Sequence, residues 1–280
     1  RISRGTMPRR DTAQTTAGAD GGGRARQLAS RLIGEGVVVA AIVGWWLLSL
    51  TMPEFILPGP ALVAAQMWQI FSDPAYLVHV ATSSVRVVIA VVIALLVGSL
   101  LAFLPRWLPI SEVIVHERIK PLLNSFPSVG WAILAIIWFG PSNTTIVFIM
   151  VMILIPFCLV NVSEGLKEID AEILEMARSF TRRRTSVLFK ITLPLLAPYL
   201  MAALRIAYGV GWKIALVAEL FGSESGMGFL LQQAQSVADA TTVFATCFAI
   251  VIIFWIGEKL IIDPLSRTFS HNPAAPANGA

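Results

Sequence analysis

Residues 171–194 read Ala-Glu-Ile-Leu-Glu-Met-Ala-Arg-Ser-Phe-Thr-Arg-Arg-Arg-Thr-Ser-Val-Leu-Phe-Lys-Ile-Thr-Leu-Pro, a polar stretch between two long apolar runs. Its first ten residues have the apolar spacing of a short amphipathic helix. The side chains on the apolar face are Ile173, Met176, Ala177 and Phe180. Such a helix must bury this face against its own chain, against lipid headgroups or against another protein.

Six apolar runs surround this stretch and predict an all-α membrane protein. They cover residues 32–52, 81–104, 121–139, 144–162, 195–218 and 243–262. Each run has about the 17–25 residues that a helix needs to cross a hydrocarbon core. Barrel strands are excluded because these runs are continuously apolar, whereas barrel strands alternate apolar with polar residues.

The composition agrees with lipid as the solvent. Hydrophobic residues make up 56% and charged residues 14% of the 280, and the mean hydropathy is +0.75. Soluble domains carry about 25% charged residues. The two cysteines, Cys158 and Cys247, lie inside apolar runs and are expected to be free thiols. The three histidines share no ligand spacing, so no metal site is predicted.

The lysines and arginines predict the orientation of the spans. Seven lie in the N-terminal tail as far as Arg31, three in residues 105–120 and six in residues 163–194. The connections 53–80, 140–143 and 219–242 contain none. Because Lys and Arg accumulate in cytoplasmic loops, both termini and residues 163–194 are predicted to be cytoplasmic. The net charge of +4 is therefore a topology signal and argues against a nucleic-acid binder.

The two ends of the chain are predicted to lie outside the membrane domain, which covers residues 31–269. Residues 1–30 are rich in Arg, Gly, Thr and Ala, and residues 270–280 are equally poor in large apolar groups. Both segments are predicted to be disordered, because neither can bury enough apolar surface to offset its ordering entropy. Met7 is an alternative start. A cleaved signal peptide is disfavoured, because no small-x-small cleavage site follows the first run.

The stretch between the fourth and fifth runs resembles a known motif, the "EAA" loop of binding-protein-dependent ABC importer permeases. The pattern is E-A-A-x3-G-x9-I-x-L-P, and the positions that follow it here are Glu175, Met176, Ala177, Thr181, Ile191, Leu193 and Pro194. Every spacing is kept. Met176 replaces the first alanine, a conservative change. Thr181 replaces the glycine that ends the helix at positive φ, so we expect a different turn and a helix that continues toward residues 182–184.

Further segments resemble the permeases for nitrate, sulfonates and taurine within that family, and the likeness covers roughly residues 35–269. Residues 127–140 look like their third-span motif, and residues 204–219 look like their fifth span. Residues 57–60 (Leu-Pro-Gly-Pro) and 226–228 (Gly-Met-Gly) also fit this subgroup.

The resemblance implies a type I importer permease that works as a pair of copies, expected to be a homodimer. Two cytoplasmic ATPase subunits would bind the loop helices, which act as coupling helices. An external or periplasmic solute-binding protein would deliver the solute. The chain has no G-x-x-x-x-G-K-[ST] sequence, so it is expected to hold no cofactor, and ATP and Mg would be used by the partner ATPase. The expected location is the bacterial plasma (inner) membrane, and no catalytic residue is predicted.

A translocation path is the second candidate site. In the fifth run, Arg205, Trp212 and Glu219 recur every seven residues with Tyr208 beside them, and the third-span motif adds Pro127 and Trp131. A charge near mid-bilayer is costly, so Arg205 should face water or protein. It either attracts an anionic solute or links helices. Arg86 and Lys213 are expected to snorkel to the interface.

Two other classes of function remain as alternatives. A secondary transporter or another polytopic channel subunit would also have several spans, but a transporter of that class is expected to show two related halves, and no repeat is present. An intramembrane enzyme would need a Ser or His constellation. Residues 222–226 (Gly-Ser-Glu-Ser-Gly) place Glu224 where the serine of G-x-S-x-G belongs, so they form no nucleophile elbow.

Overall fold

The computed structural model describes residues 19–108, 110–181 and 183–270, and every regular element in these ranges is a helix. The α-helices are α1 (Ala19–Ser49), α2 (Pro60–Ser72), α3 (Pro74–Trp107), α4 (Lys120–Ser125), α5 (Ser128–Phe139), α6 (Asn143–Glu168), α7 (Ala171–Phe180), α8 (Arg184–Val187), α9 (Leu193–Gly222), α10 (Met227–Ser236), α11 (Ala240–Gly257) and α12 (Asp263–Ser270). Three π-helical segments are π1 (Val113–Ile119), π2 (Leu188–Thr192) and π3 (Glu258–Ile262). The described residues fall into two compact units, which divide between Ala61 and Leu62.

The first unit is built on α1 and the turns that follow it. The indole Nε1 of Trp45 donates to the carbonyl of Pro58 at 3.1 Å and holds these turns against the helix. The apolar part, Gly34–Ser49, has fewer than 18 residues, which is less than about 27 Å of helix against a core of about 30 Å.

The start of α1 corrects one prediction. The helix begins at Ala19, so the prediction of disorder is wrong for residues 19–30. Residues 24–33 are mostly Arg, Ala, Gln and Leu, which are strong helix formers and lead directly into the apolar run. The rest of that tail, with Met7, and residues 271–280 lie outside the described residues.

The described residues of the second unit contain four helices long and apolar enough to cross a membrane. They are Pro74–Trp107, Asn143–Glu168, Thr185–Gly222 and Ala240–Arg267, and each contains one predicted run. The α6 helix is central, because it packs against α3, α5 and α9. Its Ile149, Met150, Leu154 and Leu159 side chains are at most 2% exposed. The fold class is therefore the predicted one.

The third run, 121–139, is not the straight span that its hydropathy predicted. Val113–Ser125 and Ser128–Phe139 are bent by 85° where they meet, and together they form one broken span or a re-entrant loop. The break lies at Phe126 and Pro127, which have extended backbones. Proline cannot donate a helical hydrogen bond, and it disfavours the helical conformation of the residue before it.

The helices place two loops at opposite ends of this unit. The α6 helix begins at Asn143, near the end of α9, and it ends at Glu168, just before α7. Its 26 residues span about 39 Å. The segment around α7 and the segment before α10 are therefore separated by about the thickness of a bilayer.

Candidate functional site: an interhelical loop and a buried polar network

The coupling segment, defined here as residues 169–194, begins with the predicted helix. Asp170 caps α7, because its Oδ1 accepts from the backbone N–H of Glu172 at 3.0 Å. The helix ends at Phe180, and Thr181 is extended with φ −149° and ψ 131°. The predicted helix is confirmed, but its predicted continuation toward residues 182–184 is wrong. An extended residue ends this helix, so the positive φ that favours glycine is not needed.

The α7 helix has two apolar faces with different surroundings. Leu174 and Ala177 are buried in a cluster with side chains of α3, α6 and α9. Ile173, Met176 and Phe180 lie on the other face and are 38%, 58% and 84% exposed. Glu175 is also exposed. Ala177 therefore fastens α7 to its own chain and does not belong to the outward face on which the sequence pattern placed it.

The last part of the motif forms the start of the next long helix. Ile191 is partly buried and packs against the cluster that contains Leu174 and Ala177. Leu193 begins α9, and Pro194 occupies its first turn, where the missing N–H of proline costs nothing. Of these three residues, Ile191 packs against the cluster that holds α7, whereas Leu193 and Pro194 start the next long helix.

A buried polar network lies at the opposite end of the unit. Its buried members are Ser83, Arg86 and Glu219, and it ends at the half-buried Ser225 and the exposed Asn143. The carboxylate of Glu219 accepts from Nη1 of Arg86 at 2.8 Å, from the Ser83 hydroxyl at 2.8 Å and from the backbone N–H of Gly228 at 2.9 Å. Arg86 is 4% exposed and Glu219 is fully buried. The network therefore joins α3, α9 and the segment before α10.

Arg86 uses its remaining donors on the same network. Its Nε donates to Oδ1 of Asn143 at 2.9 Å, and Nη2 donates to that oxygen as well. The carbonyl and hydroxyl of Ser225 accept from Nη1 and Nη2, each at 2.8 Å. The prediction that Arg86 snorkels to the interface is therefore wrong. The sequence did contain a signal for the ion pair, because Arg86 and Glu219 carry opposite charges and lie near the same predicted end of two spans.

Glycines 226 and 228 are required by this network. Gly226 has φ +109°, and a Cβ there would lie 2.5 Å from the carboxylate of Glu219. A Cβ on Gly228 would lie 2.6 Å from Cβ of Glu219 and from the carbonyl oxygen of Leu216. The N–H of Gly226 also donates to Nδ1 of His79 at 2.9 Å. Positions 226 and 228 therefore have no room for a side chain beside the buried carboxylate of Glu219.

The fifth-run stripe does not form one exposed surface. Tyr208 and Trp212 are buried, and the Tyr208 hydroxyl donates to the Phe254 carbonyl at 3.2 Å. Glu219 belongs to the network. Arg205 alone has a half-exposed side chain, and its Nη2 lies 2.8 Å from Oδ1 of Asp263. The structure thus gives Arg205 an interhelical contact and places the other three inside the chain.

Pro127 and Trp131 both lie at the break of the third span. Pro127 is exposed at the 85° bend, and Trp131 packs against Phe126 and Phe148. Within the described residues the buried Nε1–H of Trp131 has no hydrogen-bond acceptor. In the same part of the chain, no three His, Cys, Asp or Glu side chains are grouped as metal ligands.

Four apolar helices of membrane-crossing length, with a short amphipathic helix between two of them, define the described part of the chain as a helical membrane protein. The family model for the inner membrane component of binding-protein-dependent transport systems matches residues 117–260, more than half of the chain. The chain belongs to this family.

Its relatives include permeases named for taurine, sulfonates and nitrate. The taurine transport system permease protein TauC of Escherichia coli (strain K12) is 28% identical over 80% of this chain and 83% of its own length. The aliphatic sulfonates permease SsuC of the same strain is 27% identical over 79% and 80%. The nitrate import permease NrtB of Synechococcus elongatus is 24% identical over 80% and 86%.

The chain is therefore a multi-pass inner-membrane permease component of an ABC transporter, and it is not an enzyme. In this family, ATP is hydrolysed by a separate subunit. ATPase subunits and a solute-binding protein are the general partners of such permeases.

Proposed function

We propose that this chain, as a homodimer, forms the translocation path of an ATP-driven importer for a small anionic solute of the taurine, sulfonate or nitrate type. An external binding protein delivers the solute, and two cytoplasmic ATPases use ATP and Mg. The chain itself holds no cofactor, and both of its termini are cytoplasmic. The observation that carries the coupling role is the exposed face of α7, on a helix whose other face is fastened to the bundle.

The coupling role follows from the two faces of α7. Leu174 and Ala177 are packed among side chains of the long helices, so a force applied to α7 moves those helices with it. Met176 and Phe180 are exposed on the other face and offer apolar surface to an ATPase. Close packing transmits displacement because protein interiors have low compressibility.

The solute class is inferred from the relatives, whose names refer to anions or to compounds with a sulfonate group. Within this chain we assign Pro127, Trp131 and Arg205 to the path. The break at Pro127 supports this assignment, because irregular backbone at membrane depth is tolerated only where it is buried or lines a water-filled cavity. Arg205 would attract an anion, although Asp263 and Glu258 already compensate part of its charge.

The coupling role is tested by shortening the most exposed side chain of α7. Burying a phenylalanine contributes about 1.5–3 kcal/mol, so Phe180→Ala should weaken ATPase binding about tenfold or more. Phe189→Ala is the matched control, because Phe189 is an exposed phenylalanine of the same segment outside α7. The tagged chain is purified from its host membranes, and MgATP hydrolysis is measured per mole of chain.

We expect MgATP hydrolysis with the wild type and with Phe189→Ala, and little with Phe180→Ala. Equal hydrolysis with both variants would refute docking through this face. No hydrolysis with the wild type would contradict the ATP-driven function itself.

A further inference from the structure

A cavity of about 430 Å³ lies between the end of α3 and the coupling segment. Of the residues that the structure describes, two arginines line it, Arg106 from α3 and Arg178 from α7. The Nη2 of Arg106 donates to the carbonyl of Leu166 at 2.8 Å, which holds this guanidinium at the cavity wall. Both side chains are exposed, so the cavity is open to a ligand from outside the chain.

Arg106 and Arg178 give the cavity a positive charge that no ion pair of the described residues neutralises. Among the described residues, no carboxylate lies within ion-pair distance of Arg106 or Arg178. Glu112 lines a separate cavity with Lys167 on another side of Arg106 and does not line this one. Two like charges beside one cavity favour a ligand with negative charge.

The rest of the lining is mostly apolar and begins at the end of α3, a helix long and apolar enough to cross a membrane. Trp107 is the last residue of α3, is 53% exposed, and its ring stacks on Phe103 with 6.5 Å between centroids. Tryptophan is enriched where a span leaves the hydrocarbon core. Leu174, Val187 and Leu188 complete the apolar lining. A ligand that fits must therefore combine an anionic group with an apolar chain.

We propose that this cavity binds an anionic phospholipid, with its phosphate at Arg106 and Arg178 and the upper part of an acyl chain along Phe103 and Trp107. Basic pockets between spans are a recognised form of lipid headgroup site. Because the two arginines come from different elements, a bound headgroup joins α3 to α7. The lipid therefore stabilises the position of the coupling helix.

The test measures lipid retention on the purified full-length chain. The detergent-solubilised chain is mixed with phosphatidylglycerol or with phosphatidylcholine of the same acyl length, and the bound lipid is counted by native mass spectrometry. The variants are Arg178→Gln and Arg106→Gln. Arg183→Gln is the matched control, because Arg183 is an exposed arginine of the same segment that does not line the cavity. Inorganic phosphate is added in a further arm as a competitor.

We expect the wild type and Arg183→Gln to retain phosphatidylglycerol in preference to phosphatidylcholine. Each cavity variant should lower this preference about fivefold, which is the equivalent of about 1 kcal/mol for one arginine near an anionic headgroup. Arg178→Gln keeps the test valid if Arg106→Gln does not fold, since Arg178 lies on the exposed side of a short helix.

Three results would overturn the proposal. Equal retention of both lipids by the wild type would show that the arginines do not select an anionic headgroup. An equal loss in Arg183→Gln would show attraction to general surface charge. Displacement of phosphatidylglycerol by millimolar inorganic phosphate would show a site for free anions, in which the apolar lining contributes nothing.

Discussion

The buried pair Arg86 and Glu219 gives the sharpest prediction about stability. Glu219→Gln keeps the shape of the side chain but removes its charge and leaves the guanidinium of Arg86 uncompensated. Both side chains are at most 4% exposed, so water cannot replace the lost partner. Removing one partner of a buried ion pair costs about 3–5 kcal/mol.

The expected result is a large fall in thermal stability. About 2–4 °C is lost per kcal/mol in a chain of this size class, so Glu219→Gln should lower Tm by about 6–20 °C. Thermal unfolding is measured in detergent, and the loss of the monodisperse peak in size-exclusion chromatography reports the unfolded fraction. Arg205→Gln is the control, because its ion pairs with Asp263 and Glu258 are partly exposed and each contributes only about 0–1 kcal/mol.

A double variant distinguishes the loss of the ion pair itself from a general loss of packing around the two side chains. Arg86→Gln alone should cost about as much as Glu219→Gln, because each leaves one buried charge without a partner. The two changes together should cost less than their sum, by about 0.5–3 kcal/mol. Additive losses, or a Glu219→Gln shift no larger than that of Arg205→Gln, would refute the reasoning.

Three further predictions follow from particular side chains. Gly228→Ala should lower Tm, because its Cβ would lie 2.6 Å from backbone and side-chain atoms. Gly209→Ala should leave Tm unchanged or raise it, because the nearest atom lies 3.9 Å from its Cβ. Both variants are measured by thermal unfolding. In a cysteine-free background, an impermeant thiol reagent should label Ser72→Cys but not Ser186→Cys in intact cells, and the reverse would invert the topology. Arg205→Gln should assemble normally but lower taurine, sulfonate or nitrate uptake per complex, with partial recovery in Arg205→Lys. An unchanged uptake rate would leave Arg205 with its ion pairs to Asp263 and Glu258 alone.

For the coupling helix α7, the sequence pattern predicted the helix but not the surroundings of its two faces. The spacing of apolar residues predicted a helix over 171–180, and the structure has the helix with those bounds. The same pattern could not assign the two faces, because Ala177 and Phe180 lie on adjacent stripes of one helix. Ala177 is 3% exposed and Phe180 is 84% exposed only because α3, α6 and α9 cover one side of α7.

In the candidate translocation path, by contrast, the regular seven-residue spacing did not predict which side chains share a surface. Arg205, Trp212 and Glu219 recur every seven residues and were expected to face one path. Neighbouring helices decide what each residue meets, and these neighbours change along 30 residues of α9. Trp212 is covered by packing, Glu219 meets Arg86, and Arg205 reaches Asp263 beside π3.

The sequence by itself determined the helical membrane class, the positions of the apolar helices and the existence of α7. These properties depend on hydropathy, periodicity and proline, which act between residues close together in the chain. Only the tertiary structure decided the 85° bend angle at Pro127 and the pairing of Arg86 with Glu219, which are 133 positions apart. Contacts at such separation depend on how whole helices pack, because a buried charge selects the partner that packing brings within hydrogen-bond distance.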